Sequence, residues 1–274
     1  MTSGTKLRRG LSHLVGWAMD RKVPKFARSF VYRVFSKITG ADLTESELHP
    51  AGYPSLGQVF VRRLKPGARP LATDPSVFSS PCDGVLSEIS TVTDGTLLQV
   101  KGQPYAAAEL LGEAGADLDL EGATAFTIYL SPRDYHRVHG PLDSELDRLA
   151  WLGHERHSVR ESTLLRVPRV FVRNERVALR LETEHGPLLL VLVGALNVGR
   201  LRVVGVPSGS TQVPAGARQV ARGAELGRFE MGSTVVGLWP RSNRRRLEFR
   251  PSIGSKVRTG EALADLHPPD LAAR

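Results

Sequence analysis

A single cysteine, Cys82, stands in 274 residues. That excludes an intramolecular disulfide and any cysteine-based metal cluster, and it fits a reducing compartment. No stretch approaches the roughly 18 consecutive apolar residues of a membrane-spanning helix. The N-terminus also lacks the apolar core and small-residue cleavage site of a secretory signal. Net charge is scarce beyond residue 40. The first 40 residues hold nine Lys or Arg against one acid, Asp20, and so carry +8 of the chain's +9. A uniformly basic protein points to nucleic acid, whereas a basic segment on a neutral body points to docking. With no base-reading motif in the chain, nucleic acid is not expected as a partner.

The basic segment has helical periodicity. Leu7, Leu11, Leu14, Val15 and Ala18 form one stripe over residues 5–20, with Lys6, Arg8, Arg9 and His13 off it. Val23-Pro24 interrupts, and a proline suits the start of a second helix. There Phe26, Phe30, Val34, Phe35 and Ile38 recur at helical steps, with Lys25, Arg28, Arg33 and Lys37 between them. Two short basic amphipathic helices that also carry Trp17 and Tyr32 read as an anchor lying in the membrane plane. Anionic lipid would add up to about 1 kcal/mol per well-placed cation. The alternative is that both apolar faces pack on the body.

From about residue 71 the pattern changes to short apolar runs punctuated by Gly and Pro. Examples are Gly84–Ile89, Leu97–Val100, Ala125–Leu130, Val177–Leu181, Leu188–Val193 and Leu201–Val206. Closely spaced strands of this kind predict a compact β-rich body. One helix is predicted at Ala106–Leu111. Residues 254–264 resemble the turn-strand-turn-strand units of biotinyl- and lipoyl-type barrels. The expected fold class is therefore α+β and β-rich: N-terminal amphipathic helices, then a sandwich or barrel. With no second linker, one domain (41–274) follows the docking segment (1–40).

Three pieces bear on chemistry. Ser233 follows Gly232 between strand-like residues Phe229, Val235 and Val236. A glycine carbonyl is unshielded, and a neighbouring hydroxyl could attack it if a base took the proton. A strand turning through Gly-Ser-Thr is the simpler reading, and Gly209-Ser210-Thr211 repeats the triplet in what reads as a loop. His136 and His139 follow a strand-like run, where reactive side chains are commonly presented. Their H-x-x-H spacing also suits a metal, although no further ligand set accompanies it. Asp83, in Ser80-Pro-Cys-Asp-Gly84, offers a carboxylate partner for a histidine or simply a turn. Cys82 has no basic neighbour to activate it and reads as a packing residue.

Taken together these pieces form an ordered set. Phe60-x-Arg62-x-Leu64 with Arg69 comes first, then Ser80-Pro-x-Asp83-Gly84 and Tyr129-Leu-Ser-Pro-x-Asp-Tyr-His136-Arg-x-His139. Val193-Gly194-Ala195 with Val198-Gly199, and Phe229-x-x-Gly232-Ser233-Thr234-Val235, complete it. In these motifs and their order the chain resembles the phosphatidylserine decarboxylases, a pyruvoyl-dependent family.

The resemblance implies a proenzyme that cuts itself. Asp83 would orient His139, and His139 would deprotonate Ser233 for attack on the Gly232 carbonyl. The ester would eliminate to dehydroalanine and hydrolyse to a pyruvoyl group, leaving a β chain (1–232) and a 42-residue α chain (233–274). The two would stay associated, and a homodimer is compatible with the chain. The substrate phosphatidylserine would lose its carboxylate through a Schiff base to the pyruvoyl group derived from Ser233. His136 would be the acid, phosphatidylethanolamine the product, and no metal would be needed. The implied location is peripheral, at the cytoplasmic side of the cell membrane, on anionic lipid bound through residues 1–40.

One departure from the family pattern is Gly153-His-Glu-Arg-His-Ser-Val159, where an apolar pair is expected; His154 and His157 read as solvent-facing. Arg244-Arg-Arg246 reads as a lipid-phosphate contact or a solvated turn. Two other readings compete with this one, the first of them using Asp83, His139 and Ser233 on an external ester. A Ser-His-Asp hydrolase would keep an intact chain, and a non-catalytic barrel with a lipid-binding arm would not need Ser233.

Overall fold

Six consecutive apolar residues, Leu188–Val193, show no period-2 alternation, as expected of a strand buried on both faces. They lie in such a strand. Leu188, Leu190 and Leu192 enter one hydrophobic cluster, and Leu189, Val191 and Val193 enter another. A computed structural model describes residues 19–99, 103–195, 201–230 and 233–268. Most of the first predicted helix, with Val198, Gly199 and Gly232, lies outside the described residues.

In chain order the strands are β1 (Val77–Ser79), β2 (Gly84–Thr91), β3 (Thr96–Gln99), β4 (Gln103–Ala106), β5 (Thr124–Leu130), β6 (Arg137–His139), β7 (Ser144–Leu152) and β8 (Arg176–Thr183). They continue as β9 (Gly186–Gly194), β10 (Leu201–Val203), β11 (Gln219–Val220), β12 (Glu225–Phe229), β13 (Ser233–Trp239), β14 (Arg246–Phe249), β15 (Lys256–Val257) and β16 (Ala262–His267). The helices are α1 (Lys25–Thr39), α2 (Leu56–Phe60), α3 (Ala107–Leu111), α4 (Glu161–Leu164) and α5 (Val170–Arg173).

Eight strands form one sheet in the order β11-β7-β8-β9-β13-β5-β2-β15. Two three-stranded sheets, β1-β16-β14 and β10-β12-β6, supply Phe78, Leu263, Leu226 and Val138 to the core on one face. The opposite core receives Leu97 and Tyr105 from the β3–β4 hairpin, Leu110 and Leu111 from α3, Leu164 from α4 and Phe171 from α5. The body is thus α+β and β-rich, built as layered sheets that do not close into a barrel. The predicted C-terminal unit is present as β15 on β2 and β16 between β1 and β14.

Helix α1 ends at Gly40, whose left-handed backbone (φ 77°) lets its N–H reach the Ser36 carbonyl. Its inner face packs Tyr32 against Ala41, Leu43, Tyr53 and Val59, and the Tyr32 hydroxyl donates to Tyr53 O at 2.6 Å. Among the described residues the outer face has no such cover. Phe26 is 91% exposed, Phe30 69%, Val34 38% and Ile38 78%. Four large apolar residues at four-residue steps therefore face outward in a row, so packing accounts for only one side of this helix.

Candidate active site

The strands place Ser233 before any side chain is considered. β13 is paired on both edges, and its first residue, Ser233, stands opposite Leu130 at the end of β5 and Gly194 at the end of β9. The strand preceding it, β12, pairs with β6, bringing Glu225 opposite His139. β5 and β6 are the two ends of the histidine loop. Both strands flanking the Gly232–Ser233 bond are thereby tied to that loop. The Gly232 carbonyl and the Ser233 side chain are outside the described residues.

The loop itself is fixed by its Ser-Pro-x-Asp sequence. Asp134 accepts from the Ser131 N–H and hydroxyl, both at 2.7 Å, and the Asp134 N–H closes the turn on Ser131 O at 2.9 Å. His139 Nδ1–H donates to Gly223 O at 2.8 Å, which leaves Nε2 as the lone-pair nitrogen. Tyr135 donates its hydroxyl to that nitrogen at 3.1 Å. Burial pushes the Tyr135 phenol up to about 12, so it is a donor, and burial holds the His139 ring below the ordinary histidine range. A neutral imidazole with a defined basic nitrogen is what a general base requires.

His136 is fully buried. Its Nδ1–H donates to Asp134 O at 2.8 Å, and its ring lies against Phe60 with centroids 4.0 Å apart. Burial pulls its pKa down to about 3, so the ring is neutral. Among the described residues its Nε2 has no hydrogen-bond partner. A buried acceptor left open in this way marks a place where a further donor fits.

Asp83 lies beside the same strand, because the His139 N–H donates to Pro81 O at 2.8 Å. Gly84 follows it at a close backbone approach, where a Cβ would sit 2.5 Å from Tyr129 O. The Asp83 carboxylate is bracketed by Arg69 (Nε 2.9 Å, Nη2 2.6 Å) and by the Thr259 N–H and hydroxyl (2.9 and 3.0 Å). Arg69 also pairs with Glu45 at 3.0 Å. Among the described residues no hydrogen bond joins Asp83 to His139. The bond that orients His139 comes from Gly223 O, and of the carboxylates around the ring Glu225 favours the protonated form most, with a smaller contribution from Asp83. Tyr135, Gly223, Arg69 and Thr259 are thus contacts for which the sequence offered no role. Arg69 and Tyr135 at least sit inside the motifs, whereas Gly223 and Thr259 carry no local signal.

On the other face of β13, Thr234 borders a cleft of about 500 Å³ walled by Leu164, Phe171 and Ile253. The Thr234 hydroxyl is buried without a partner among the described residues. Glu88 lines the same cleft, its carboxyl raised by burial. Cys82 is fully buried, with burial pushing its thiol up, as befits a packing residue. His154 is exposed, but His157 is half-buried and held by Glu155 at 2.5 Å, so only the first of that pair faces solvent. Among the described residues no three His, Cys, Asp or Glu side chains are grouped to hold a metal ion.

The family signature described as phosphatidylserine decarboxylase matches residues 56–265. The chain belongs to the phosphatidylserine decarboxylase family. It is 41% identical over 243 residues to a phosphatidylserine decarboxylase proenzyme of Alkalilimnicola ehrlichii, covering 83% of each chain. The proenzyme of Bordetella bronchiseptica is 39% identical over 267 residues, covering 93% of this chain and 89% of that one. That of Pseudomonas aeruginosa is 36% identical over 271 residues, covering 93% and 92%. As a phosphatidylserine decarboxylase the chain is a carboxy-lyase, and the matched span includes Asp83, both histidines of the loop and Ser233.

Proposed function

We propose that this decarboxylase makes its own pyruvoyl group from Ser233 and uses it to convert phosphatidylserine to phosphatidylethanolamine. The observation that carries the reading is the placement of Ser233 at the head of a central strand, bonded to the strand that feeds the histidine loop. The open Nε2 of buried His136 fits a new group at residue 233. His139 Nε2 takes the Ser233 hydroxyl proton once Tyr135 yields its place. Ser233 Oγ then bonds to the Gly232 carbonyl carbon as the peptide C–N bond breaks, and His139 passes its proton to the departing nitrogen. Elimination, with the Cα proton of residue 233 lost to a base, frees the Gly232 carboxylate and leaves dehydroalanine at 233. Water hydrolyses its imine form, releasing ammonia. Asp83, held by Arg69 and Thr259, biases His139 toward accepting that proton.

A pyruvoyl group supplies an electron-accepting carbonyl that condenses with the substrate's amine, giving the electron pair left by carbon dioxide somewhere to go. His136 enters this chemistry as a base. Neutral at Nε2, it takes the proton shed by the substrate's ammonium and returns it to the carbon that lost its carboxylate. Topology supports association of the two chains. β13 stays paired along both edges, and β14, β15 and β16 belong to the same α chain.

The purified chain, with no cofactor added, should release carbon dioxide and form phosphatidylethanolamine from phosphatidylserine vesicles. Borohydride should abolish the activity. A chain that had cleaved itself yet left phosphatidylserine unchanged would refute the reading.

The outward row of α1 supports a peripheral membrane position. Phe26, Phe30 and Ile38 would enter the acyl boundary while Lys25, Arg33 and Lys37 meet anionic headgroups. Burying two Phe side chains is worth about 3–6 kcal/mol. Phe26→Asp with Phe30→Asp should therefore cut cosedimentation with anionic vesicles at least tenfold. Activity on detergent-dispersed substrate should survive. Unchanged cosedimentation would assign the membrane contact elsewhere.

A further inference from the structure

Arg62 is 3% exposed, yet its guanidinium is poorly satisfied. Among the described residues its Nε has no partner, and Nη2 reaches only Asp42 O at 3.4 Å and Arg133 O at 3.5 Å. Among the described residues no carboxylate forms an ion pair with it. Arg176 shows how a buried arginine with a purely structural role is treated in this fold. It donates to Glu109, Leu110 and Val172 carbonyls at 2.5–2.8 Å, and to Asn174 O at 3.3 Å. Two other cations near the histidine loop are committed as well. Arg69 holds Asp83 and Glu45, and Arg137 holds Glu225 and the Val61 carbonyl.

Arg62 is also part of the loop's own surroundings. Phe60, two residues before it, packs on the His136 ring, and Arg133 O, its long-range contact, belongs to the turn that presents His136. Its charge opposes protonation of His136. A buried donor without an acceptor and a buried acceptor without a donor thus border the same loop. A ligand carrying an anion and a protonated amine completes both.

We propose that Arg62 binds the phosphodiester of the lipid headgroup and so fixes the substrate's amine and carboxylate at residue 233. The proposal rests on the phosphatidylserine reading. The headgroup offers two anions, and the reaction selects between them. The carboxylate must give up its charge, so a cation clamped on it would stabilise the ground state more than the transition state. The phosphodiester keeps its charge throughout. Binding it serves positioning at no cost to the chemical step.

The test compares soluble dihexanoyl phosphatidylserine with a phosphate-free O-acyl serine of matched length. Turnover of the first by the wild-type chain establishes the function on which the proposal rests; without it, that reading falls, not the role of Arg62 alone. The wild type should then prefer the phosphate-bearing substrate. In Arg62→Gln, after intact mass shows that it has matured, KM for the phosphatidylserine should rise about 10- to 100-fold. Its kcat should change little, and the O-acyl serine should be handled as by the wild type. Arg62→Lys, which keeps the charge and loses the fork, should fall between. Glycerol phosphate should inhibit the wild type competitively and lose that effect in Arg62→Gln. An equal loss on both substrates would make Arg62 structural and overturn the proposal. So would a wild type that handles both substrates equally, a result that needs no variant to fold.

Discussion

Ser233→Ala is expected to yield a single species of 29.9 kDa that never forms phosphatidylethanolamine. The wild type should give two, breaking between 232 and 233, with the smaller blocked to Edman degradation and reducible by borohydride. The loss is complete because one hydroxyl is both the nucleophile that cuts the chain and the source of the reactive carbonyl. The variant should nonetheless fold. β13 is paired along both edges, and the exchange removes one oxygen at its first residue without touching a backbone hydrogen bond. A thermal melt near that of an uncleaved wild-type chain would separate lost chemistry from lost structure. The second Gly-Ser-Thr is an internal control. Ser210 lies in a turn, its hydroxyl donating to Gln212 O at 3.1 Å, so Ser210→Ala should mature normally. An active wild-type chain that stays whole and reacts with serine-directed acylating probes would move the assignment to a hydrolase.

The strands were legible because their signal is local. Runs such as Ala125–Leu130 and Leu188–Val193 are apolar, short and bounded by Gly or Pro, and each lies in a strand. Their assembly was not legible in the same way. Nothing near residue 233 announces that β13 lies between β9 and β5, since that pairing joins segments about 40 and 100 residues away. The resemblance of residues 254–264 to a barrel unit holds locally, while the sheets around it stack as layers. The site shows the same division. The histidine loop could be read as a motif because Ser131 and Asp134 close a turn within it. The partners of its side chains could not. Gly223 holds His139 through a backbone carbonyl, a contact any residue type could make, and Thr259 reaches Asp83 across 176 positions of sequence. His157 was misplaced for a related reason, since its partner Glu155 could equally have faced solvent.

The two histidines should fail at different stages. His139→Ala removes the base before maturation, so the chain should remain whole, or cleave about 100- to 10,000-fold more slowly. His136→Ala should still cut itself, because among the described residues its Nε2 has no partner, and then decarboxylate slower by a similar factor. Intact mass reads the first stage and product formation the second. The pH dependence carries a sign as well. Burial lowers the His139 pKa, so the neutral, basic form persists below the 6.5 of a free imidazole. Maturation should therefore stay on its plateau as pH falls through 6.5 and decline only in more acid solution. The same depression makes stability depend on pH. Between about 3 and 6.5 the unfolded chain binds the proton that buried His136 refuses, so stability rises with pH across that window and is level above it. His136→Gln should flatten this part of the curve. If His136→Ala stayed uncleaved while His139→Ala matured, the roles of base and proton carrier would be exchanged. If maturation fell off around pH 6.5 as for an exposed histidine, the buried ring at 139 would not be the base.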